Sequence, residues 1–269
     1  MTSTTFNKTR LSERIRGREQ IVGLIVKMPN PAVVEVAGHL GFDFVLIDTE
    51  HGLGETDQLE HHLRAADSAG IDVIVRVGAN DPLQALRALD AGARGIIVPH
   101  VDTTQDAAAA VRIGHYPPVG TRGLATSTRA GRHSTGTLEA HLDRARRETV
   151  VIVQVEDRRA VANAWEIAAT PHVDAVWLGP SDLSMSLGHP GEADHSDVVT
   201  AVDSIVDGVN RAENAALCVV VDSEDSVPNW RARGASVVLF LAANLLTERL
   251  SEVLKNVAPD LSHAGQRHS

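Results

Sequence analysis

The chain has 269 residues, of which 43% are hydrophobic and only 3% aromatic, and its formal net charge is −10. This length fits a single α/β barrel, whose core Ala, Val, Leu and Ile would build. The negative charge and the scarce aromatic residues argue against nucleic acid or an anionic membrane as a partner. Because the N-terminus lacks a signal-peptide pattern and no long apolar run occurs, we expect a cytoplasmic protein.

Short apolar runs rich in β-branched residues recur along the chain and predict eight strands, at 21–26, 44–47, 72–77, 95–101, 150–156, 175–179, 216–221 and 236–241. Segments with helical spacing separate them, at 31–41, 55–70, 80–92, 102–114, 156–169, 195–215 and 247–258. This alternation predicts a single-domain (β/α)8 TIM barrel. The alternative is a doubly wound open sheet, which would need a Gly-rich turn after the first strand, where the chain reads "VKMPNP".

We place the barrel at residues 11–258, between polar tails at 1–10 and 259–269. The connection 115–136 is long and rich in Gly, Pro, Ser, Thr and Arg, which favours a functional role. His61 and His62 are expected on the solvated face of a helix. Cys218, the single cysteine, is expected to be an inert core residue.

Polar residues accumulate where the predicted strands end, which is the catalytic face of such a barrel. In strand order they are Asp48, Glu50 and His51, then Arg76, His100, Gln154 with Glu156, and Ser181 with Asp182. Glu156 and Asp182 would form an acidic pair from neighbouring strands, and hard divalent ions such as Mg²⁺ or Mn²⁺ prefer oxygen ligands. The alternative is that each carboxylate caps the helix that follows it.

Two further residues carry chemistry at this face. Arg76 lies within a valine-rich strand, so its guanidinium needs an anionic partner, either a substrate carboxylate or a neighbouring Asp or Glu. His51 follows Asp48 by three residues, and a carboxylate beside an imidazole makes a plausible general base. A structural role for His51 is the alternative.

Five phrases in order resemble the HpcH/HpaI aldolases, which are divalent-metal-dependent (class II) pyruvate aldolases with a barrel fold. They are "GFDFVLIDTEHG", "NDPLQALRALDAGARGIIVPHVDT", "YPPVGTRG", "VQVED" and "WLGPSDLSMSLGHPG". The resemblance implies reversible cleavage of a 4-hydroxy-2-oxo acid to pyruvate and an aldehyde through a metal-bound pyruvate enolate. The family that the chain resembles includes aldolases of 4-hydroxy-2-oxoheptanedioate and aldolases of 2-keto-3-deoxy sugar acids.

The resemblance also assigns roles to residues. Glu156 and Asp182 match the ligands of the divalent cation, which would be Mg²⁺, Mn²⁺ or Co²⁺. His51, paired with Asp48, matches the base, and Arg76 matches the arginine that holds the oxo acid. Gln154 and the segment Gly179, Pro180 and Ser181 match the surroundings of the pyruvate. The family implies a homo-oligomer, typically a hexamer, with possible exchange of the C-terminal helix between subunits.

Three positions depart from the family pattern: His100, Lys27 and the end of the last strand, "LFLAANLL". These positions are expected around the aldehyde side of the pocket. They leave the enolate chemistry intact, but the identity of the aldehyde stays open. Three other functions remain open: an acyl-CoA lyase of the citrate-lyase type, a non-catalytic barrel that binds oxo acids, and a Schiff-base aldolase using Lys27.

Overall fold

The computed structural model describes residues 10–52, 56–79 and 81–257. Eight parallel strands pair in chain order, and β8 pairs with β1 to close the barrel. The strands are β1 Ile21–Val26, β2 Phe44–Asp48, β3 Asp72–Arg76, β4 Gly95–Val98, β5 Val150–Val155, β6 Ala175–Leu178, β7 Ala216–Val220 and β8 Ala235–Leu241. The predicted (β/α)8 barrel is therefore confirmed, and the open sheet is excluded.

Twelve α-helices lie in the described ranges. They are α1 Leu11–Arg16, α2 Pro31–Leu40, α3 Thr56–Ala69, α4 Pro82–Asp90, α5 Thr104–Gly114, α6 Leu138–Glu148, α7 Arg158–Val161, α8 Ala164–Ala168, α9 Pro180–Leu187, α10 Ser196–Arg211, α11 Val227–Ala232 and α12 Ala242–Val257. No helix among them combines the length and apolar composition needed to span a bilayer.

The strands divide their side chains between two cores because alternate residues point to opposite faces. One core lies between the strands and the outer helices. The other fills the barrel interior with residues such as Phe44, Leu46, Ile74 and Ile152, and α1 adds Leu11 and Ile15 to it. The same alternation continues along β2, β3 and β5 to Asp48, Arg76 and Gln154, which are also buried. The upper layer of the interior is therefore polar.

Several predicted boundaries differ from the structure. The helix predicted over 156–169 is two short helices, α7 and α8, and the last helix begins at Ala242 rather than at residue 247. The sequence patterns did not locate α1, α6, α9 or α11, which have six, eleven, eight and six residues. The connection 115–136 contains one 3-10 turn, Arg132–Ser134. The predicted tails lie outside the described residues except for Arg10.

The prediction for Cys218 and the prediction for His61 and His62 had different outcomes. Cys218 is fully buried and burial raises the pKa of its thiol, as expected for an inert core residue. The prediction for His62 was wrong: its ring is buried and its nitrogens lie 2.7 Å from the Gln58 carbonyl and 3.3 Å from the Met28 carbonyl. His61 is exposed, as expected.

Candidate active site

An ion pair between Asp48 and Arg76 forms the floor of the candidate site. The two residues lie opposite each other at the carboxyl ends of β2 and β3. Arg76 donates through Nε to Asp48 Oδ1 at 3.0 Å and through Nη2 to Oδ2 at 2.5 Å. Burial opposes ionisation of Asp48, but the hydrogen bonds and charge of Arg76 outweigh it and hold the pKa of this carboxyl below its usual value.

Arg76 has further contacts that fix its guanidinium. Its Nη1 donates to Gln154 Oε1 at 3.2 Å and lies 3.3 Å from Glu50 Oε2, and the guanidinium lies 5.0 Å from the centre of the Trp177 ring. Arg76 was expected to pair with a substrate carboxylate or with a neighbouring Asp or Glu. Its partner in the structure is a neighbouring aspartate, Asp48. Three of the five N–H groups are used by Asp48 and Gln154, so one on each terminal nitrogen remains for another acceptor.

Glu156 is a buried carboxylate with unfavourable surroundings for its charge. The residue is 3% exposed, and it accepts hydrogen bonds from the His100 backbone N–H at 3.0 Å and from the Gln154 amide. Burial raises the pKa of Glu156 to about 7, with help from the charges of Asp182 and Glu50 and against the influence of His100. A bound cation would relieve this cost.

His100 joins two of these carboxylates. Its Nδ1 lies 3.1 Å from Glu156 Oε1, and its Nε2 lies 3.5 Å from Glu50 Oε1. The backbone at His100 is left-handed, with φ of 54°, which is uncommon for a residue other than glycine. That geometry lets the backbone N–H and the ring of one residue meet the same carboxylate oxygen.

The start of α9 completes the site. Gly179 precedes the helix, and no side chain caps its first turn, where Pro180, Ser181 and the exposed Asp182 lie. A Cβ built on Gly179 would lie 2.9 Å from Glu156 Oε2 and 3.1 Å from Gln154 Nε2, so only glycine fits there. The positive end of this helix therefore faces the acidic group.

The structure corrects the expected pairing of Asp48 with the His51 imidazole. Asp48 Oδ1 accepts the backbone N–H of His51 at 3.1 Å, and both carboxylate oxygens face Arg76. The imidazole instead lies at the rim, 56% exposed, with Nε2 3.8 Å from Glu50 Oε2. Asp48 thus positions the turn that carries His51, and Glu50 is the carboxylate nearest to its ring nitrogen.

Lys27 has a structural partner. Its Nζ lies 3.5 Å from Asp48 Oδ2, and its side chain is 35% exposed. A Schiff-base lysine must be neutral when it attacks a carbonyl group. Lys27 is instead placed as a salt-bridge partner of Asp48.

The oxygen donors of Glu156 and Asp182 fit a hard divalent cation, since one is buried with a raised pKa and the other is exposed beside it. A second group of possible ligands lies in the α9–α10 connection, where ligand atoms of His189, Glu192 and His195 fall within 4.8 Å of one another. Its two imidazoles stack with centroids 3.4 Å apart, and His195 Nδ1 already accepts the Asp197 N–H. The first site is therefore the better candidate.

Sequence reasoning placed Glu50 and His100 at this face but gave neither a role. Both belong to the group that we call the carboxyl-end cluster: Asp48, Glu50, Arg76, His100, Gln154, Glu156 and Asp182. The signal for Glu50 was its position two residues beyond Asp48. The signal for His100 was its departure from the family pattern, but its left-handed backbone could not be read from the sequence.

A closed parallel barrel with an arginine and several carboxylates at its carboxyl end is typical of enzymes that act on small anionic substrates. Residues 22–240 match the family model described as HpcH/HpaI aldolase/citrate lyase. The chain belongs to this family and is a carbon–carbon lyase of the aldolase type.

Individual relatives agree. A 2-dehydro-3,6-dideoxy-6-sulfogluconate aldolase from Pseudomonas putida is 42% identical over 186 residues, 69% of this chain and 72% of that protein. A hydroxypyruvate/pyruvate aldolase from Paraburkholderia phytofirmans is 34% identical over 79% of this chain and 83% of its own. The crystal structure of a family member from Burkholderia cenocepacia superposes with a TM-score of 0.86 at 34% identity, covering 92% of this chain and 98% of that one.

Proposed function

We propose that the protein is a divalent-metal-dependent aldolase that reversibly cleaves a 4-hydroxy-2-oxo acid to pyruvate and an aldehyde. The observation that carries this proposal is the buried Glu156, whose pKa burial raises to about 7 near the charges of Asp182 and Glu50, while Glu50 itself lies 3.3 Å from Arg76 Nη1. An excess of carboxylates next to a fixed arginine suits a cation and an anionic substrate together. The two curated relatives described above are also named as aldolases of oxo acids.

Glu156 and Asp182 would hold the cation, which we expect to be Mg²⁺, Mn²⁺ or Co²⁺. When bound, such an ion supplies Lewis acidity that stabilises negative charge on the oxo oxygen of a 2-oxo acid. Gln154 holds Glu156 in place through its amide. The first-turn N–H groups of α9, at Ser181 and beyond, are suited to the substrate carboxylate, because helix N-termini bind anions.

Arg76 at the floor of the site and His51 at its rim have different roles in the reaction. Cleavage breaks the C3–C4 bond as the deprotonated C4 oxygen forms the aldehyde carbonyl. The C3–C4 electron pair becomes the C2–C3 double bond of the enolate, and the negative charge comes to lie on the C2 oxygen. Arg76 has free N–H groups to stabilise that charge, and its own position is fixed by Asp48 and Gln154. His51 takes the proton of the C4 hydroxyl, and protonation of C3 then yields pyruvate.

The test is release of pyruvate from a racemic 4-hydroxy-2-oxo acid by protein stripped with EDTA and then supplied with Mg²⁺, Mn²⁺ or Co²⁺. We expect activity to disappear with EDTA and to return with metal. Activity that is indifferent to EDTA would contradict metal dependence, and borohydride trapping would then test Lys27. Cleavage of an acyl-CoA without any pyruvate release would instead favour the citrate-lyase type.

We further propose a homo-oligomer, a hexamer in the family pattern, in which another subunit covers or exchanges with α12. One face of this helix is apolar but exposed, at Leu246, Leu250, Val253, Leu254 and Val257. These positions recur at helical spacing, and a contiguous exposed apolar stripe marks an interaction surface. Light scattering should give a multiple of the chain mass, and L250E should reduce it. A monomeric wild-type protein would contradict the proposal.

The cytoplasmic location stays a prediction.

A further inference from the structure

A cavity of about 230 Å³ lies at the opposite end of the barrel from the carboxyl-end cluster. Its lining includes Arg94 and Thr149, the residues immediately before β4 and β5, and therefore belongs to the amino ends of the strands. Five arginines line it: Arg94, Arg122, Arg129, Arg132 and Arg144. We call it the arginine cavity.

The carboxylates around the arginine cavity do not balance its guanidinium groups. Arg94, Arg122 and Arg129 have carboxylate partners, namely Asp72 with Glu148, Asp90 and Asp67. Within the described ranges, no carboxylate lies within 4.0 Å of Arg132 or Arg144, and Arg144 donates to the backbone carbonyl of Ala130. Burial, together with repulsion from Arg132 and Arg94, lowers the pKa of Arg144 despite the opposing charge of Glu148.

Two buried side chains at the cavity each have one nitrogen without a hydrogen-bond partner among the described residues. Arg122 is 7% exposed and its Nε is unpaired among the described residues, and His141 is 6% exposed with its Nδ1 unpaired. The other ring nitrogen of His141 lies 2.9 Å from the Tyr116 hydroxyl. Buried polar groups are normally hydrogen-bonded, so unpaired nitrogens beside a cavity indicate an absent partner.

The backbone that carries Arg132 is held in an unusual conformation. Arg132, His133 and Ser134 have φ values of 52°, 50° and 63°, all in the left-handed region that residues other than glycine rarely adopt. The Ala130 carbonyl accepts from Arg144, which ties this turn to α6. The turn therefore keeps Arg132 at the cavity despite an unfavourable backbone.

We propose that the arginine cavity binds a compact multivalent oxyanion of the phosphate type, held chiefly by Arg132 and Arg144, with Arg122 and His141 as further donors. Guanidinium groups bind phosphate through paired hydrogen bonds, and buried charge-assisted bonds are the strong ones. The cavity is smaller than the roughly 300–1,000 Å³ of ordinary small-molecule pockets, which suits an inorganic ion. The bound anion links the long connection to α6 and leaves the aldolase chemistry at the other end of the barrel untouched.

The experiment is calorimetric titration of the full chain with sodium phosphate, at constant ionic strength and with EDTA present so that no metal recruits phosphate elsewhere. We expect saturable binding that weakens about tenfold or more in R132Q and in R144Q, since each change removes a charge-assisted contact. R146Q is the matched control, because Arg146 lies on the same helix, is 73% exposed and pairs with Asp143. It should bind phosphate like the wild type.

Absence of saturable phosphate binding to the wild type would overturn the proposal. Equal phosphate affinities of R132Q, R144Q and the control R146Q would overturn it as well. Should R144Q fail to fold, the exposed Arg132 allows R132Q to decide alone. A parallel titration with succinate distinguishes two sources of oxyanion. Saturation by succinate with the same dependence on Arg132 supports the site and assigns it to carboxylates rather than to phosphate.

Discussion

The two ends of the barrel each contain a partly or fully buried arginine–aspartate pair, but the pairs have different surroundings. At the amino end, Arg14 Nη1 lies 2.6 Å from Asp43 Oδ1, and Asp43 Oδ2 accepts the backbone N–H of Val22 at 2.9 Å. This pair joins α1 to the start of β1 with its principal groups satisfied. At the carboxyl end, Arg76 and Asp48 pair as closely, yet Glu50, Glu156 and Asp182 add negative charge around them.

The difference separates a structural pair from one that belongs to a binding site. The hydrogen bond from Arg14 to Asp43 raises the pKa of Arg14, so the guanidinium is stabilised in its charged form. Around Arg76, by contrast, burial raises the pKa of Glu156, and the charges of Asp182 and Glu50 add to this effect. A buried carboxylate with such a raised pKa is typical of functional sites.

Replacing Arg76 by Met should have the largest effect. It leaves Asp48 buried without its partner, which should lower the free energy of unfolding by about 3–5 kcal/mol, and it should also abolish pyruvate release. Urea denaturation and the cleavage assay would measure the two losses. In the double variant R76M/D48L, stability should recover while activity stays absent. Full activity in R76M would exclude the proposed role in stabilising charge.

Replacing His51 by Ala should reduce cleavage of the hydroxy-oxo acid by on the order of 100-fold, because a general base is lost. Its side chain is 56% exposed, so stability should hardly change. Decarboxylation of oxaloacetate forms the same enolate without a hydroxyl proton to remove, so it should decline much less. Equal losses in both steady-state assays would mean that His51 is not the base.

Replacing Asp43 by Ala should lower the free energy of unfolding without changing the activity. The change removes the partner of Arg14 and the acceptor for Val22, so we expect a loss of about 2–3 kcal/mol in the free energy of unfolding. The activity per folded molecule should stay at the wild-type value. D203A is a matched control, because Asp203 is 59% exposed in its pair with Arg233 and should cost less than about 1 kcal/mol. A change in activity with D43A would remove the distinction between the two ends.

His115 should give the smallest effect, visible only as pH dependence. Burial, together with the charge of His172, lowers the pKa of His115 to about 4 from its ordinary 6.5. The unfolded chain therefore binds more protons than the folded one between these values, and stability falls as the pH drops through this window.

Between pH 7 and pH 5 this one group should cost about 1–2 kcal/mol. The variant H115Q should lose less stability than the wild type over that range when urea denaturation is repeated at each pH. Identical pH dependence in the two proteins would show that His115 titrates normally.

Much of this fold could be predicted because its signals are local. A strand such as Ile21–Val26 is rich in β-branched residues, which is a signal contained in the strand itself. The helices α1, α6 and α9 escaped prediction because their few apolar residues give little periodicity. The burial of His62 also escaped, because its partner Met28 is 34 residues away.

The candidate site was predictable in its membership but not in its pairing. The strand ends supplied Asp48, Arg76, Gln154, Glu156 and Asp182, since parallel strands bring such residues to one face. Asp48 was expected beside the His51 imidazole, yet the register of β2 and β3 places it opposite Arg76. Register and the left-handed backbone of His100 depend on contacts across the barrel, which the spacing of residues along the chain does not contain.

The most direct test of the central claim is a titration of EDTA-stripped protein with Mn²⁺ at pH 8, followed by electron paramagnetic resonance. The account predicts one tight site per chain in the wild type, lost in E156Q and in D182N, and retained in D43A. Binding that survives in E156Q and D182N but disappears in H189N would assign the metal to the His189, Glu192 and His195 group. That result, or no binding at all, would contradict the metal site proposed at the carboxyl end of the barrel.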